Sequence, residues 1–145
     1  MRRLLRFIKL PGQMKLLCVE AYLLLSFSAL ILRIFRFSAI AGVLGYANRE
    51  TSHSDHGIDP YLVKQISLAI QLMQRYTFRE STCLIQAYTA KMMLRKRKLK
   101  STVYLGVAKM ADTKMTAHAW VRCGTIFVTG GDASQVFTIT GKFAD

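Results

Sequence analysis

Ser81-Thr82-Cys83-Leu84-Ile85-Gln86-Ala87-Tyr88-Thr89-Ala90-Lys91-Met92-Met93-Leu94 is the stretch whose reading decides the fold. Leu84, Ile85, Ala87, Tyr88, Ala90, Met92, Met93 and Leu94 occupy nearly every face of a helix that runs to about Arg97. A helix apolar all round is buried on several sides, so this one is expected at the centre of the molecule. Its first residue is a cysteine. A thiol at a helix N-terminus lies in the positive end of the helix dipole, a place that suits a thiolate.

Downstream the period changes. Thr102-Val103-Tyr104-Leu105-Gly106-Val107-Ala108 alternates as a strand does, and Thr116 to Arg122 follows after a polar connection. Cys123-Gly124 reads as a tight turn into Thr125-Ile126-Phe127-Val128-Thr129, and Val136 to Thr140 adds a further strand. Upstream, Asp59 as N-cap and Pro60 at the first position start a helix with Val63, Ile66, Ile70 and Met73 on one stripe. Helices first and an antiparallel sheet afterwards define an α+β fold.

His118 stands 35 residues after Cys83, in Thr116-Ala117-His118-Ala119-Trp120-Val121. On a strand, Thr116, His118, Trp120 and Arg122 share one face, and Ala117, Ala119 and Val121 the other. The small residues let this strand pack closely on the central helix. A histidine brought to the cysteine completes a nucleophile and its base. An acid to orient the imidazole is expected one strand on, at Asp132. A two-residue turn at Cys123-Gly124 gives Asp132 the wrong parity, which a bulge at Gly130-Gly131 would restore. Asp112, in the preceding loop, is the reserve candidate.

Three cysteines (Cys18, Cys83 and Cys123) with no CxxC spacing favour a reducing, cytoplasmic setting over a disulfide framework or zinc site. Cys18 in an apolar helix and Cys123 in a turn read as inert. His53 and His56 with Asp55 are solvated loop residues rather than metal ligands. No metal or cofactor is implied. The formal charge is +13, gathered in Arg2, Arg3, Arg6, Lys9 and Lys15 and again in Lys91 and Arg95-Lys96-Arg97-Lys98-Leu99-Lys100. No nucleic-acid motif or basic–aromatic interleaving accompanies it, so nucleic acid is not an expected partner.

The 145 residues make one domain, or one domain with an N-terminal appendage. Residues 1–50 read as an apolar, basic helical segment, and 51–145 as the main domain with the Cys83 helix and the sheet, with the polar run Asn48 to Asp59 as the boundary. Leu16 to Leu32 is an apolar or small-residue run with one acid, Glu20, and lies at the short limit for a membrane span. Glu20 is costly in lipid, so cover by protein is expected, and membrane contact is the lesser reading.

A cysteine at a helix start, then a histidine on a strand and an acid on the next, resembles papain- and transglutaminase-like folds. Thr82-Cys83-Leu84-Ile85-Gln86-Ala87, Leu105-Gly106-Val107-Ala108-Lys109, Ala117-His118-Ala119-Trp120-Val121 and Gly130-Gly131 resemble the transglutaminase-like leader peptidases of lasso-peptide biosynthesis. Glu20-Ala21-Tyr22-Leu23-Leu24-Leu25 and Arg33-Ile34-Phe35-Arg36 are similar to that family's opening segment. The likeness is to the stand-alone peptidase form, without a fused leader-recognition domain. It implies a cysteine peptidase with Cys83, His118 and Asp132 as its catalytic set. The implied substrate is a ribosomally made precursor peptide, cut at its leader–core junction. The implied partners are a small leader-recognition protein and an ATP-dependent lasso cyclase. Two other readings stay open: a non-catalytic membrane-associated binding protein, and an acyltransferase or transglutaminase using the same triad.

Overall fold

The computed structural model describes residues 10–77, 82–109 and 114–145. Its helices are α1 (Gly12–Ile34), the short α2 (Phe37–Ile40), α3 (Pro60–Met73) and α4 (Cys83–Lys96). The strands are β1 (Tyr46–Ala47), β2 (Thr102–Lys109), β3 (Met115–Cys123), β4 (Ile126–Thr129) and β5 (Thr138–Ala144). They form one antiparallel sheet in the order β1-β5-β2-β3-β4.

The helix ends follow from local chemistry. Asp59 Oδ1 accepts from the Tyr61 and Leu62 amides at 2.9 and 3.3 Å, with Pro60 in the first turn. Thr82 Oγ1 accepts from the Ile85 amide at 3.4 Å, so α4 begins on Cys83. α4 is enclosed as its sequence requires: α1 and α3 pack on it from one side, β3 and β4 from the other. Ala87, Ala90, Met93 and Leu94 are fully buried among Leu17, Ala21, Leu25, Ile66, Ile70, Val121 and Val128. Ala119, Val121 and Cys123 of β3 belong to this core, as their parity requires.

Two polar groups inside α4 are satisfied rather than stranded. Thr89 Oγ1 donates to the Ile85 carbonyl at 2.9 Å and lies 3.4 Å from Ser28 Oγ of α1. The fully buried Lys91 ammonium donates to Ser101 O (2.8 Å), Ser101 Oγ (3.1 Å) and Asp145 Oδ2 (2.6 Å). Those bonds use its three donors. Burial lowers the Lys91 ammonium pKa. Burial also pulls the Asp145 carboxyl up, but Lys91 and Arg95 outweigh it and hold that group below its ordinary value.

The compositional break near residue 50 is not a break in packing. Met14, Leu17, Cys18, Ala21 and Leu25 of α1 are buried in the same core as α3 and α4. Glu20 does not face out alone: Arg97 Nη1 and Nη2 bond its carboxylate at 3.1 and 2.7 Å, and Lys96 lies at 3.4 Å. Those bonds hold its pKa below the ordinary glutamate value. The polar run after Asn48 is a strap rather than a free linker. Thr51 bonds Thr102 Oγ1 through both its amide and its hydroxyl, each at 2.8 Å. The buried Arg122 guanidinium donates to Thr51 O (2.8 Å), Ser52 O (3.1 Å) and Gly124 O (2.5 Å). Asp55 accepts from the Thr125 amide (2.7 Å) and hydroxyl (2.5 Å), capping the β3–β4 turn.

Glu50 closes that network. It accepts from Lys142 Nζ at 2.7 Å and from the Tyr104 hydroxyl, with His53 Nε2 at 3.2 Å. The Lys142 and Tyr104 bonds, with His53 adding to them, hold the Glu50 carboxyl down to about 2 against burial's opposing pull. A carboxyl lowered on folding stabilises the protein above the ordinary glutamate pKa of 4.5 and loses that contribution as pH falls toward about 2. Glu50→Gln is therefore expected to lower stability at pH 7 by on the order of 1 kcal/mol, the modest value of a partly exposed cluster. The gap between wild-type and variant melting temperatures should close as pH falls from about 4.5 to about 2. A gap that stays constant across this range would contradict the assignment.

Candidate active site

Cys83, the first residue of α4, is partly exposed, whereas Cys18 and Cys123 are buried. Burial raises both of those thiols above the ordinary value, so they persist as neutral SH groups. Cys83 and Leu84 occupy the first turn of α4, where amides have no acceptor within the helix. These are donors available to an anion that forms at the thiol.

His118 lies in β3 opposite Gly106 of β2. The Trp120 ring leans over that glycine: a Cβ there would come within 2.8 Å of Trp120 and 3.0 Å of Phe137. The absence of a side chain at residue 106 thus makes room for an aromatic wall. The imidazole stacks on Phe137 at 4.9 Å and on Trp120 at 5.7 Å, and Trp120 stacks on Tyr104 at 5.6 Å. Its Nε2 lies 2.9 Å from the carbonyl oxygen of Gly130. A carbonyl only accepts, so Nε2 carries the proton and the neutral ring keeps its basic lone pair on Nδ1.

Gly130 is held in the left-handed region at φ +66°. A Cβ on it would sit 2.6 Å from the Ala119 carbonyl and 2.9 Å from His118 Nε2. Both the conformation and the close approach require glycine. The sequence pointed to the Gly130-Gly131 pair but not to the main-chain oxygen as the partner of His118, nor to Phe137 as its stacking neighbour.

The placement of Asp132 differs from the expected strand-and-bulge arrangement. The turn is Gly124-Thr125, with Cys123 opposite Ile126, and the register shift lies between Val121 and Arg122 rather than at the glycines. β4 ends at Thr129. Gly130 turns the chain into a 3-10 segment, Gly131–Val136, which carries Asp132 exposed in its first turn. The hydrogen bond to His118 therefore comes from Gly130, two residues before the acid. Asp112 lies outside the described residues.

Cys83 and His118 line one cleft of about 300 Å³, with Phe37, Leu84, Leu105 and Val107 as its apolar walls. Among the described residues no hydrogen bond joins the thiol to the imidazole. The structure thus brings the nucleophile candidate and the base candidate to a common cleft. Among the described residues no three His, Cys, Asp or Glu side chains converge as a metal site. His53 bonds Glu50, and Asp55 bonds Thr125.

The transglutaminase-like superfamily matches residues 22–141, a span that contains Cys83, His118 and Asp132. The chain belongs to that superfamily. No curated protein and no solved structure matches it. The helices and small antiparallel sheet are the α+β arrangement of the transglutaminase-like domain.

Iodoacetamide should alkylate Cys83 first at neutral pH, with Cys18 and Cys123 protected until the protein unfolds. Gly130→Ala should slow alkylation of Cys83 as His118→Ala does, by about tenfold, and cost about 1–3 kcal/mol of stability from backbone strain. Peptide mapping by mass spectrometry reads the first outcome and thermal melts the second. Labelling that begins at Cys123, or that ignores both substitutions, would separate His118 from the thiol.

Proposed function

We infer that this transglutaminase-like chain is a cysteine peptidase that removes the leader from a lasso-peptide precursor before macrolactam formation. One observation carries the chemistry: Cys83 at the N-terminus of the enclosed helix shares an apolar cleft with His118, whose tautomer is fixed by the Gly130 carbonyl. The motifs around Cys83, His118 and Gly130-Gly131 carry the substrate reading by resemblance.

In this reading His118 Nδ1 takes the Cys83 proton, and the sulfur attacks the scissile carbonyl carbon at the leader–core junction. The carbonyl oxygen gains the charge and meets the first-turn amides of α4. The C–N bond then breaks, the imidazolium returns its proton to the leaving amine, and an acyl-enzyme remains. Water, deprotonated by Nδ1, releases the leader carboxylate and regenerates the thiol. The Gly130 carbonyl holds the ring in register, and Asp132, two residues on in the chain, is the acid of this set. The aromatic wall of Trp120 and Phe137 lowers the local dielectric, which strengthens these interactions. The precursor peptide, a small leader-recognition protein and the ATP-dependent cyclase are the partners of such an enzyme, and the cytoplasm its setting.

The experiment is cleavage of a precursor peptide by the full chain with the leader-recognition protein present, followed by mass spectrometry. Cys83→Ala and His118→Ala should each reduce turnover by about 10³-fold or more, and the double variant should be scarcely worse than either. Asp132→Asn should be milder. Cleavage that survives Cys83→Ala overturns the assignment. Transfer of the acyl group to an added amine in preference to water would make the chain an acyltransferase instead.

A further inference from the structure

α1 has two apolar faces, and only one is covered. Its inner face, with Leu17, Cys18, Ala21 and Leu25, is buried against the body of the protein. Its outer face carries Leu16, Val19, Leu23, Phe27, Leu30 and Ile34, spaced at three and four residues so that they form one stripe. All six are exposed, Leu16 at 72%, Leu23 at 60% and Ile34 at 62%. The helix is about 34 Å long at 1.5 Å per residue, so the stripe is a continuous exposed band rather than scattered single residues. It continues through Phe35 and Phe37, both exposed, and Phe37 is a wall of the cleft that holds Cys83.

We propose that this outer face of α1 docks the protein on an anionic lipid surface, with the helix lying in the plane of the interface and not crossing it. Charge selects the occupant. The chain carries +13 overall, and Lys15 near one end of the stripe and Arg33 and Arg36 at the other are cations without ion-pair partners among the described residues. The acid that argues against lipid, Glu20, is neutralised by Arg97 and Lys96 between α1 and α4. Lys15 and Arg33 flank the band on the same side, where their charged heads reach phosphate while Leu, Phe and Ile enter the acyl boundary. The in-plane orientation follows from the buried inner face. A crossing helix would have to leave the core, breaking the Ser28–Thr89 contact and the Glu20–Arg97 pair. A chain docked this way brings the Phe37 side of the Cys83 cleft close to the lipid surface.

The test is co-sedimentation of the full chain with vesicles of phosphatidylcholine alone or with phosphatidylglycerol added, at low and high salt. Binding should need the anionic lipid and weaken as salt is raised. Leu23→Ser/Phe27→Ser, on exposed positions, should reduce partitioning by about tenfold or more while leaving the melting temperature unchanged. Arg33→Gln/Arg36→Gln, a variant independent of the apolar band, should lose much of the salt-sensitive part. Three results overturn the proposal: no binding to anionic vesicles, binding indifferent to Leu23→Ser/Phe27→Ser, or cell-membrane protein that resists carbonate extraction as a spanning helix would. Self-association in lipid-free solution that this variant abolishes, with no vesicle binding, also overturns it and assigns the face to a second copy of the chain.

Discussion

The enclosure of α4 is the constraint on which the rest of the molecule depends. Its alanines let α1, α3, β3 and β4 approach closely, and its larger residues fill the spaces between them. A helix packed on all sides cannot shift along its axis without opening cavities, so its first residue is fixed in space. Cys83 inherits that rigidity. Lys91 and Thr89 sit in the same helix without loosening it, because each of their polar atoms meets a partner supplied by another part of the fold. The cost of burying them is offset only while those partners stay in place.

The second fixed point is the sheet, and here the order comes from backbone and aromatic contacts. Gly106 is small so that Trp120 can lean across it, and Gly130 is left-handed so that its carbonyl can reach His118. Arg122, in the same alternation as His118 and Trp120, binds the strap after Asn48 to the far end of β3. One face of one strand thus carries both the candidate base and the anchor that keeps the sheet's edge closed. A cleft whose walls are held this way keeps a defined shape.

The surface tells a different story from the core. Among the described residues Lys91 and Arg122 are the buried cations, and every acid but Asp132 is engaged in specific bonds. Glu20, Glu50, Asp55 and Asp145 each hold two parts of the chain together, and Asp59 caps its own helix. Among the described residues Lys15, Arg33 and Arg36 have no ion-pair partner, beside an apolar band that the protein does not cover.

The sequence by itself determined the elements and their order. The all-round apolarity of residues 84–94 announced a central helix, Asp59-Pro60 marked a helix start, and strand alternation placed His118 and Trp120 on one face. Each of these is local: capping, periodicity and parity depend on residues a few positions apart. The tertiary structure alone decided what those elements do to one another. The burial of α1 in the core, the pairing of Glu20 with Arg97 and the use of residues 48–59 as a strap depend on contacts between distant segments. So does the hydrogen bond between His118 Nε2 and the Gly130 carbonyl. The register shifts by one residue between Val121 and Arg122, and it is the end of β4 at Thr129 that leaves Asp132 in the 3-10 segment beyond the strand. Register of this kind is set by the packing of both faces of the sheet at once, and no local pattern encodes it.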